Sequence, residues 1–391
     1  MPENGFVMKQ IFALLIAVVF FYGCQESGNK ANFDDLQPSD IQPFQNEYAE
    51  SFEVTAYDSF LHAKVKSPWQ GADRSFGYQI PKTESFSPSE KDNAVTVASS
   101  PENVVCLSST CIVMMHALGL TDKISGISGT DITSVDEVIE KAESGKIRQT
   151  GDARNVDLEQ VIDLEPDLVI TFGSEGSNRQ VLPKLQETGI NVVYHAEFLE
   201  NAPLARAEWI RFFAAFFDKA DKADSIFQNA ERYYHKYSQK IKDSDDRPSV
   251  ITGKDLSGTW YVPGGKNYQT HFIRDAGGAY VWEDTDESGS LSLSFEEVYD
   301  KGADAEFWLI NAKGMKEVSD LYKEDTRYEK FRAFREGNLY NTHGGISESG
   351  AYPYWDKGVI NPHLILADLI SVFHPEKMPE HELEFYRKLK E

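Results

Sequence analysis

From Leu204 to Ile241 the chain has the spacing of a helix. Trp209, Phe212, Phe213, Phe216, Phe217, Ala220, Ala223, Phe227, Ala230, Tyr234, Tyr237 and Ile241 recur every three or four positions, with no proline before Pro248. A stripe of this kind is the buried face of a helix, so its aromatics read as core. Asp218 and Asp221 offer a cap between two consecutive helices. On either side of this span, short apolar runs alternate with amphipathic ones. Before it stand strand signals at Asn103–Leu107, Ile124–Ser128, Leu168–Phe172 and Asn191–Tyr194. Helical signals fall between them: Cys111 to Gly119, Val156 to Leu164 and Val181 to Thr188. After it come strands at Ser249–Thr252, Phe307–Ile310 and Asn338–Tyr340, with helices from Phe295, over Arg327–Arg335 and over Pro362–Phe373, the last capped by Asn361. Strands apolar at consecutive positions are covered on both faces, and strand–helix alternation makes a parallel sheet. The expected architecture is α/β: two doubly wound α/β lobes joined by a long connecting helix, with a ligand cleft between them.

The expected boundaries are a leader over 1–23, a flexible tether over 24–50 and an N-terminal β elaboration over 51–94. An N-terminal α/β lobe then spans 95–203, a connecting helical region 204–246 and a C-terminal α/β lobe 247–391. The leader has a basic Lys9, an apolar run from Ile11 to Tyr22, Gly23 and then Cys24, after which the chain turns polar. That is a secretory signal, and a cysteine after the small residue makes it a lipoprotein signal, with Cys24 acylated. The apolar run is shorter than the ~20 residues a membrane-spanning helix needs. The chain is therefore expected outside the cytoplasm, lipid-anchored to a bacterial membrane, most simply on the periplasmic side.

The net charge is −24. This excludes phosphate neutralisation by clustered Lys and Arg, and with it nucleic acid as a partner. It is compatible with docking onto a basic protein. Past Cys24 only Cys106 and Cys111 remain, too few for a disulfide framework, and they read as two small buried hydrophobes.

Several segments together carry a resemblance. Asn103-Val104-Val105-Cys106-Leu107-Ser108-Ser109 precedes Ala117-Leu118-Gly119-Leu120. Thr150-Gly151-Asp152, Asn155-Val156-Asp157-Leu158-Glu159-Gln160, Leu164-Glu165-Pro166-Asp167-Leu168-Val169-Ile170 and Gly189-Ile190-Asn191-Val192-Val193 follow, and Asn361-Pro362-His363-Leu364 opens the closing helix. In order and spacing the chain, from about residue 95 on, resembles the iron–siderophore and cobalamin class of ABC-transporter solute-binding proteins. The resemblance implies capture of an iron complex in the cleft and delivery to a permease with its ATPase subunit, by a monomer with no catalytic residue and no resident cofactor. It also implies one permease-docking glutamate per lobe: Glu159 in the first and Glu296 in the second, with Glu297 an adjacent rival. Two carboxylates pairing with arginines would fix the orientation of docking.

Ligand contacts are expected at the carboxyl ends of the strands. The candidates are Ser108, Ser109, Thr130, Asp152 and Phe172 in the first lobe. Those in the second are Trp260, Tyr261, Lys313 and His343, with Tyr352 and Trp355 from an aromatic cluster. Trp260 to Gly265 reads as an aromatic, glycine-rich loop suited to a large planar ligand. The nine histidines show no metal-ligand spacing, so no protein-held metal is expected, although His343 and Tyr261 are an axial pair to consider for haem. A ferric siderophore leads; cobalamin and haem follow. An exported α/β enzyme is the rival class, with Cys111 and His116 poorly placed for a thiol nucleophile.

Overall fold

The computed structural model of the chain describes residues 36–88, 94–151, 156–173 and 183–391. Strands β5 (Val104–Cys106), β6 (Ile124–Ile127), β7 (Arg148–Gln149), β8 (Leu168–Phe172) and β9 (Val192–His195) form one sheet in the order β7-β6-β5-β8-β9. Every pairing is parallel. Val104, Val105 and Cys106 are all buried, as an uninterrupted apolar strand covered on both faces must be. The chain starts at β5, runs outward through β6 and β7, then crosses to β8 and β9. The order thus reverses between β5 and β8, and a crevice opens outside their carboxyl ends.

The second lobe repeats the plan. β10 (Ser249–Thr252), β13 (Ala279–Tyr280), β15 (Phe307–Ile310), β16 (Leu339–Asn341) and β17 (Arg387–Lys388) lie in the order β13-β10-β15-β16-β17. All pairs are parallel except the β16–β17 edge. Here the order reverses between β10 and β15. Beside it stands a small antiparallel sheet of β11 (Asp255–Leu256), β12 (Thr259–Pro263) and β14 (Ser290–Leu293). Residues 259–263, expected as part of a loop, are therefore a strand.

The N-terminal sheet holds β1 (Phe52–Ala56), β2 (Phe60–Val65), β3 (Phe76–Pro81) and β4 (Val95–Thr96) in sequence order. It packs on helices of the first lobe: Phe52 meets Trp209 and Phe212, and Tyr78 meets Phe216. The segment read as tether is docked in its last part. Phe44 is buried, and the buried carboxylate of Glu208 accepts the backbone N–H groups of Glu47, Tyr48 and Ala49 at 2.7, 2.8 and 2.7 Å. Arg211 closes this network on Glu208 at 2.5 Å and on Asp224 at 2.7 Å. A polar composition hid the docking because the anchoring groups on residues 47–49 are main-chain.

The connecting span is two helices and not one rod: Pro203–Ala215 and Ala220–Ser238, broken where Asp218 takes φ = 53°. The first lies in the first lobe's core. The second joins both cores, with Ala223 and Phe227 in one and Tyr234 in the other.

Candidate functional site

Two adjoining cavities occupy the crevice. The larger, about 460 Å³, is lined by residues that follow β10 (Gly253, Lys254) and β15 (Asn311, Ala312, Lys313), together with Leu256, Tyr261, Gln269, Ser290, Glu324 and Trp355. These are the residues the strand-order reversal of the second lobe exposes. The other, about 370 Å³, shares Asn311, Ala312, Lys313 and Trp355 and is closed from the first lobe by Ser109, Asp131 and Ile132. It therefore lies between the lobes. Both volumes fall in the range of small-molecule sites.

Three properties mark this cleft. Leu256, Tyr261 and Trp355 are 55%, 48% and 40% exposed, so three of the eight exposed large hydrophobics among the described residues face the same cavity. Apolar surface gathered in one concave place marks a contact surface. Second, its ionic groups balance: Lys254 and Lys313 stand with Glu324 and Asp131, and Lys254 Nζ bonds Glu324 at 2.7 Å. Third, Asn311 Oδ1 and the hydroxyl of Thr342, both in the wall of the interlobe cavity, are buried and have no hydrogen-bond partner among the described residues. Such groups are costly to leave unmade.

The expected site residues sort as follows. Ser109, Tyr261, Lys313, Tyr352 and Trp355 line the cavities. Trp260 does not. It is fully buried, stacks on Trp308 at 5.4 Å and donates Nε1–H to the carbonyl of Thr252 at 2.9 Å. The cause is the period of two in β12, which sends Trp260 and Val262 to the core and Tyr261 to the cavity. Tyr352 faces the cleft while its hydroxyl accepts the Gly314 N–H at 2.7 Å. His343 follows Thr342 but lines neither cavity. Burial, then the charges of Arg387 and Lys316, push its pKa down. The His343–Tyr261 pair considered for haem is thus not brought together around one cavity. Thr130 precedes the cavity residues Asp131 and Ile132, and Phe172 packs edge-on to Phe198 at 6.0 Å. Cys24 and Asp152 lie outside the described residues. Sequence reading named no role for Asp131, Gln269, Ser290 or Thr342, none of which sits in a motif.

Ser108 is buried under the first cleft loop. Its Oγ accepts the Cys111 N–H at 3.0 Å as the cap of the helix Ser109–Ala117 and lies 2.7 Å from His195 Nε2. His195 Nδ1 meets Glu197 at 2.5 Å, and Thr110 donates to the same carboxylate at 2.7 Å. Burial pushes the Glu197 carboxyl up, but His195 and Arg206 outweigh it and hold it down to about 2. The three side chains have the connectivity of a nucleophilic triad. However, Ser108 is only 6% exposed and its oxygen already serves as a helix cap, so the trio is a tie between β9 and the first cleft loop. Cys106 and Cys111 are disulfide-bonded, with Cα atoms 5.6 Å apart, where two independent thiols were expected. A strand that turns at once into a helix brings position i+5 back to the strand end. The bond encloses Leu107, Ser108, Ser109 and Thr110.

Glu159 and Glu296 are both exposed, each in the first helical turn after an N-cap, over Leu158–Asp163 and Phe295–Gly302. Glu297 is committed to its own helix: its carboxylate accepts Ser294 N–H at 2.7 Å and Oγ–H at 2.8 Å in a capping box. Glu296 meets only Arg327 among the described ion pairs, at 3.5 Å.

Comparison with known proteins decides the family. Residues 104–344 match the family model described as periplasmic binding protein. The chain belongs to that family. It is a solute-binding protein and not an enzyme. An uncharacterised lipoprotein of Methanocaldococcus jannaschii is 27% identical over 307 residues, covering 76% of this chain and 71% of the relative. An ABC transporter substrate-binding lipoprotein of Bacillus subtilis is 35% identical over 127 residues, covering 31% of this chain and 38% of the relative. The solved structure of a periplasmic haem-binding protein from Pseudomonas aeruginosa aligns with a TM-score of 0.55 at 19% identity, covering 70% of this chain and 93% of that one, and shares the fold.

Proposed function

We propose that this chain is the solute-capturing component of an ABC importer, holding a ferric siderophore of low net charge in the interlobe cleft and presenting it to a membrane permease. The reading rests above all on the exposed Leu256, Tyr261 and Trp355 gathered in one cavity of a cleft whose two lysines, Lys254 and Lys313, are matched by Glu324 and Asp131. A chelate bearing three or more negative charges would be met by arginine or lysine in excess; here each cation is matched by a carboxylate. A neutral hydroxamate chelate suits aromatic walls, and its N–H or O–H groups would satisfy Asn311 Oδ1 and the Thr342 hydroxyl. A corrinoid, with amide arms around a large ring, meets the same description and is the second reading. Haem, with two propionates and an axial requirement, fits less well.

Lipid on Cys24 would hold the loaded protein near its permease, with Glu159 and Glu296 as the two docking points. The lipoprotein relatives support the anchor, and the Cys106–Cys111 disulfide fits an oxidising, extracytoplasmic setting. No helix among the described residues is long and apolar enough to cross a membrane.

The test is tryptophan fluorescence of the soluble form beginning after Cys24, titrated with ferric trihydroxamates, ferric triscatecholates, cobalamin and haem. Trp355 is the one tryptophan lining the cavity among the described residues, so quenching should be reduced in Trp355→Phe. Saturable 1:1 quenching by a low-charge chelate supports the proposal. Tighter binding of the triscatecholate, or no binding of any iron complex, overturns it.

A further inference from the structure

The β2–β3 loop, residues 66–75, belongs to the N-terminal sheet, yet it reaches both lobes. Its Trp69 is buried against the first lobe, edge-on to Tyr194 at 6.1 Å, in a cluster with Val105, Val169 and Val192. The guanidinium of Arg74 lies 4.9 Å from the Trp69 ring centre and 5.2 Å from that of Phe76, covering the outer face of this anchor. The loop backbone runs directly over the carboxyl end of β8. A methyl group built on Gly173 would lie 2.3 Å from the Pro68 carbonyl oxygen and 2.7 Å from the Trp69 ring, so glycine is required there by close approach. One residue further, exposed Gln70 extends to the second lobe. A methyl group built on Gly289 would lie 3.5 Å from Gln70 Nε2. Gly289 immediately precedes Ser290 of the cavity wall, and its carbonyl is tied to Gly264 at 2.8 Å.

The loop therefore spans the crevice at its β8 side, away from the end where Asp131 and Ile132 line one cavity with Tyr352. We propose that the β2–β3 loop is a third wall of the ligand cleft and that Gln70 is a specificity-determining residue, limiting how far a ligand extends past Ser290. This inference rests on reading the interlobe cavity as the ligand site. It gives the N-terminal sheet a function: selection of compact chelates over those carrying a bulky arm on that side. The loop moves with the first lobe, through Trp69 and Gly173, and touches the second through Gln70.

Two measurements test it on the soluble form beginning after Cys24. The first needs no ligand. In Gln70→Cys/Gly289→Cys, at one exposed and one half-buried position, a two-carbon bis-maleimide should join the pair, read by peptide mass. Failure to join, with a native circular dichroism spectrum, overturns the wall. The second compares cobalamin, cobinamide (the same ring without the nucleotide arm), haem and a ferric trihydroxamate. Gln70→Trp should weaken whichever probe the wild type binds by about tenfold, and Gln70→Ala should narrow any preference for cobinamide over cobalamin. Affinities unchanged within about twofold in both variants overturn the specificity role. Cross-linking without binding of any probe keeps the wall and overturns the ligand reading instead.

Discussion

Trp260 and Tyr261 are adjacent, aromatic and on one strand, yet the structure gives them opposite work. Trp260 is enclosed by Trp308, Tyr328, Phe331 and Phe295, at centroid distances of 5.4, 5.6, 5.7 and 6.1 Å, and bonds the Thr252 carbonyl. Trp260→Ala removes a fully buried indole, which costs about 3–5 kcal/mol. It also strands a buried carbonyl, for about 1 kcal/mol more. Against a typical folding stability of ~5–15 kcal/mol this is a large share. With a slope of ~3 kcal/mol/M the urea midpoint should fall by about 1–2 M. Tyr261 is 48% exposed and faces the cavity. Its removal should change stability by no more than about 0.5 kcal/mol. A lost aromatic contact of about 1 kcal/mol or slightly more should weaken ligand binding by about five- to tenfold. Far-UV circular dichroism in urea reads the first effect, and titration followed through Trp355 reads the second. If Trp260→Ala lowers affinity with an unchanged midpoint, or Tyr261→Ala lowers the midpoint and spares affinity, the assignment of faces along β12 is wrong.

Three further outcomes are expected. Glu296→Ala should reduce binding to vesicles carrying the cognate permease while leaving the melting temperature alone. Glu297→Ala should do the reverse, losing about 1 kcal/mol with its capping box. The Glu197 carboxyl, held at about 2 against an ordinary 4.5, is more readily protonated in the unfolded chain. Its contribution is therefore complete above pH 4.5 and lost as pH falls from there towards 2, by up to about 3 kcal/mol; Glu197→Gln should flatten that part of a stability-against-pH curve. Ser108, sealed and capping a helix, should stay unlabelled by a fluorophosphonate that reacts with serine nucleophiles; stoichiometric labelling would show that the buried trio is reactive.

The two α/β lobes were legible because short, doubly buried strands leave continuous apolar runs that alternate with amphipathic helical ones; the order of the strands in each sheet was not, because pairing is set by distant partners. Expecting contacts at the carboxyl ends of the strands then led to Lys313 and Ser109, both of which line the cavities. What stayed hidden depends on distant partners. Trp260 was misplaced because a glycine pair two residues after Val262 reads as loop, whereas pairing with β14 makes the segment a strand with alternating faces. Asn361 does stand at the N-cap of Pro362–Phe373, but it makes no side-chain cap bond there: its amide donates to the Lys357 carbonyl at 2.9 Å and closes the preceding turn. Residues 44–50 look like tether because nothing local shows that Glu208, about 160 positions away, collects their N–H groups. The disulfide was missed because five-residue spacing is uninformative until strand, turn and helix are placed.

How the cleft closes follows from what crosses between the lobes. The helix Ala220–Ser238 is about 28 Å long at 1.5 Å per residue, and it is buried at both ends in different cores. Bending it would expose Phe227 or Tyr234. The chain also crosses back: Asp356, which follows the cavity residue Trp355, accepts Ser134 N–H at 2.6 Å and Ser134 Oγ–H at 2.7 Å, and Val359 joins the first lobe's core. Asp356 is 1% exposed, and burial raises its pKa against the opposing hydrogen bonds from Ser134. Two buried crossings separated along the chain resist rotation about any single hinge residue. The motion expected on this ground is a small rocking of the lobes, with its freedom at the cleft mouth where Tyr261, Trp355 and Lys313 stand. A ligand filling that mouth would therefore gain its affinity from a site largely formed in advance, with little loss of chain freedom on binding.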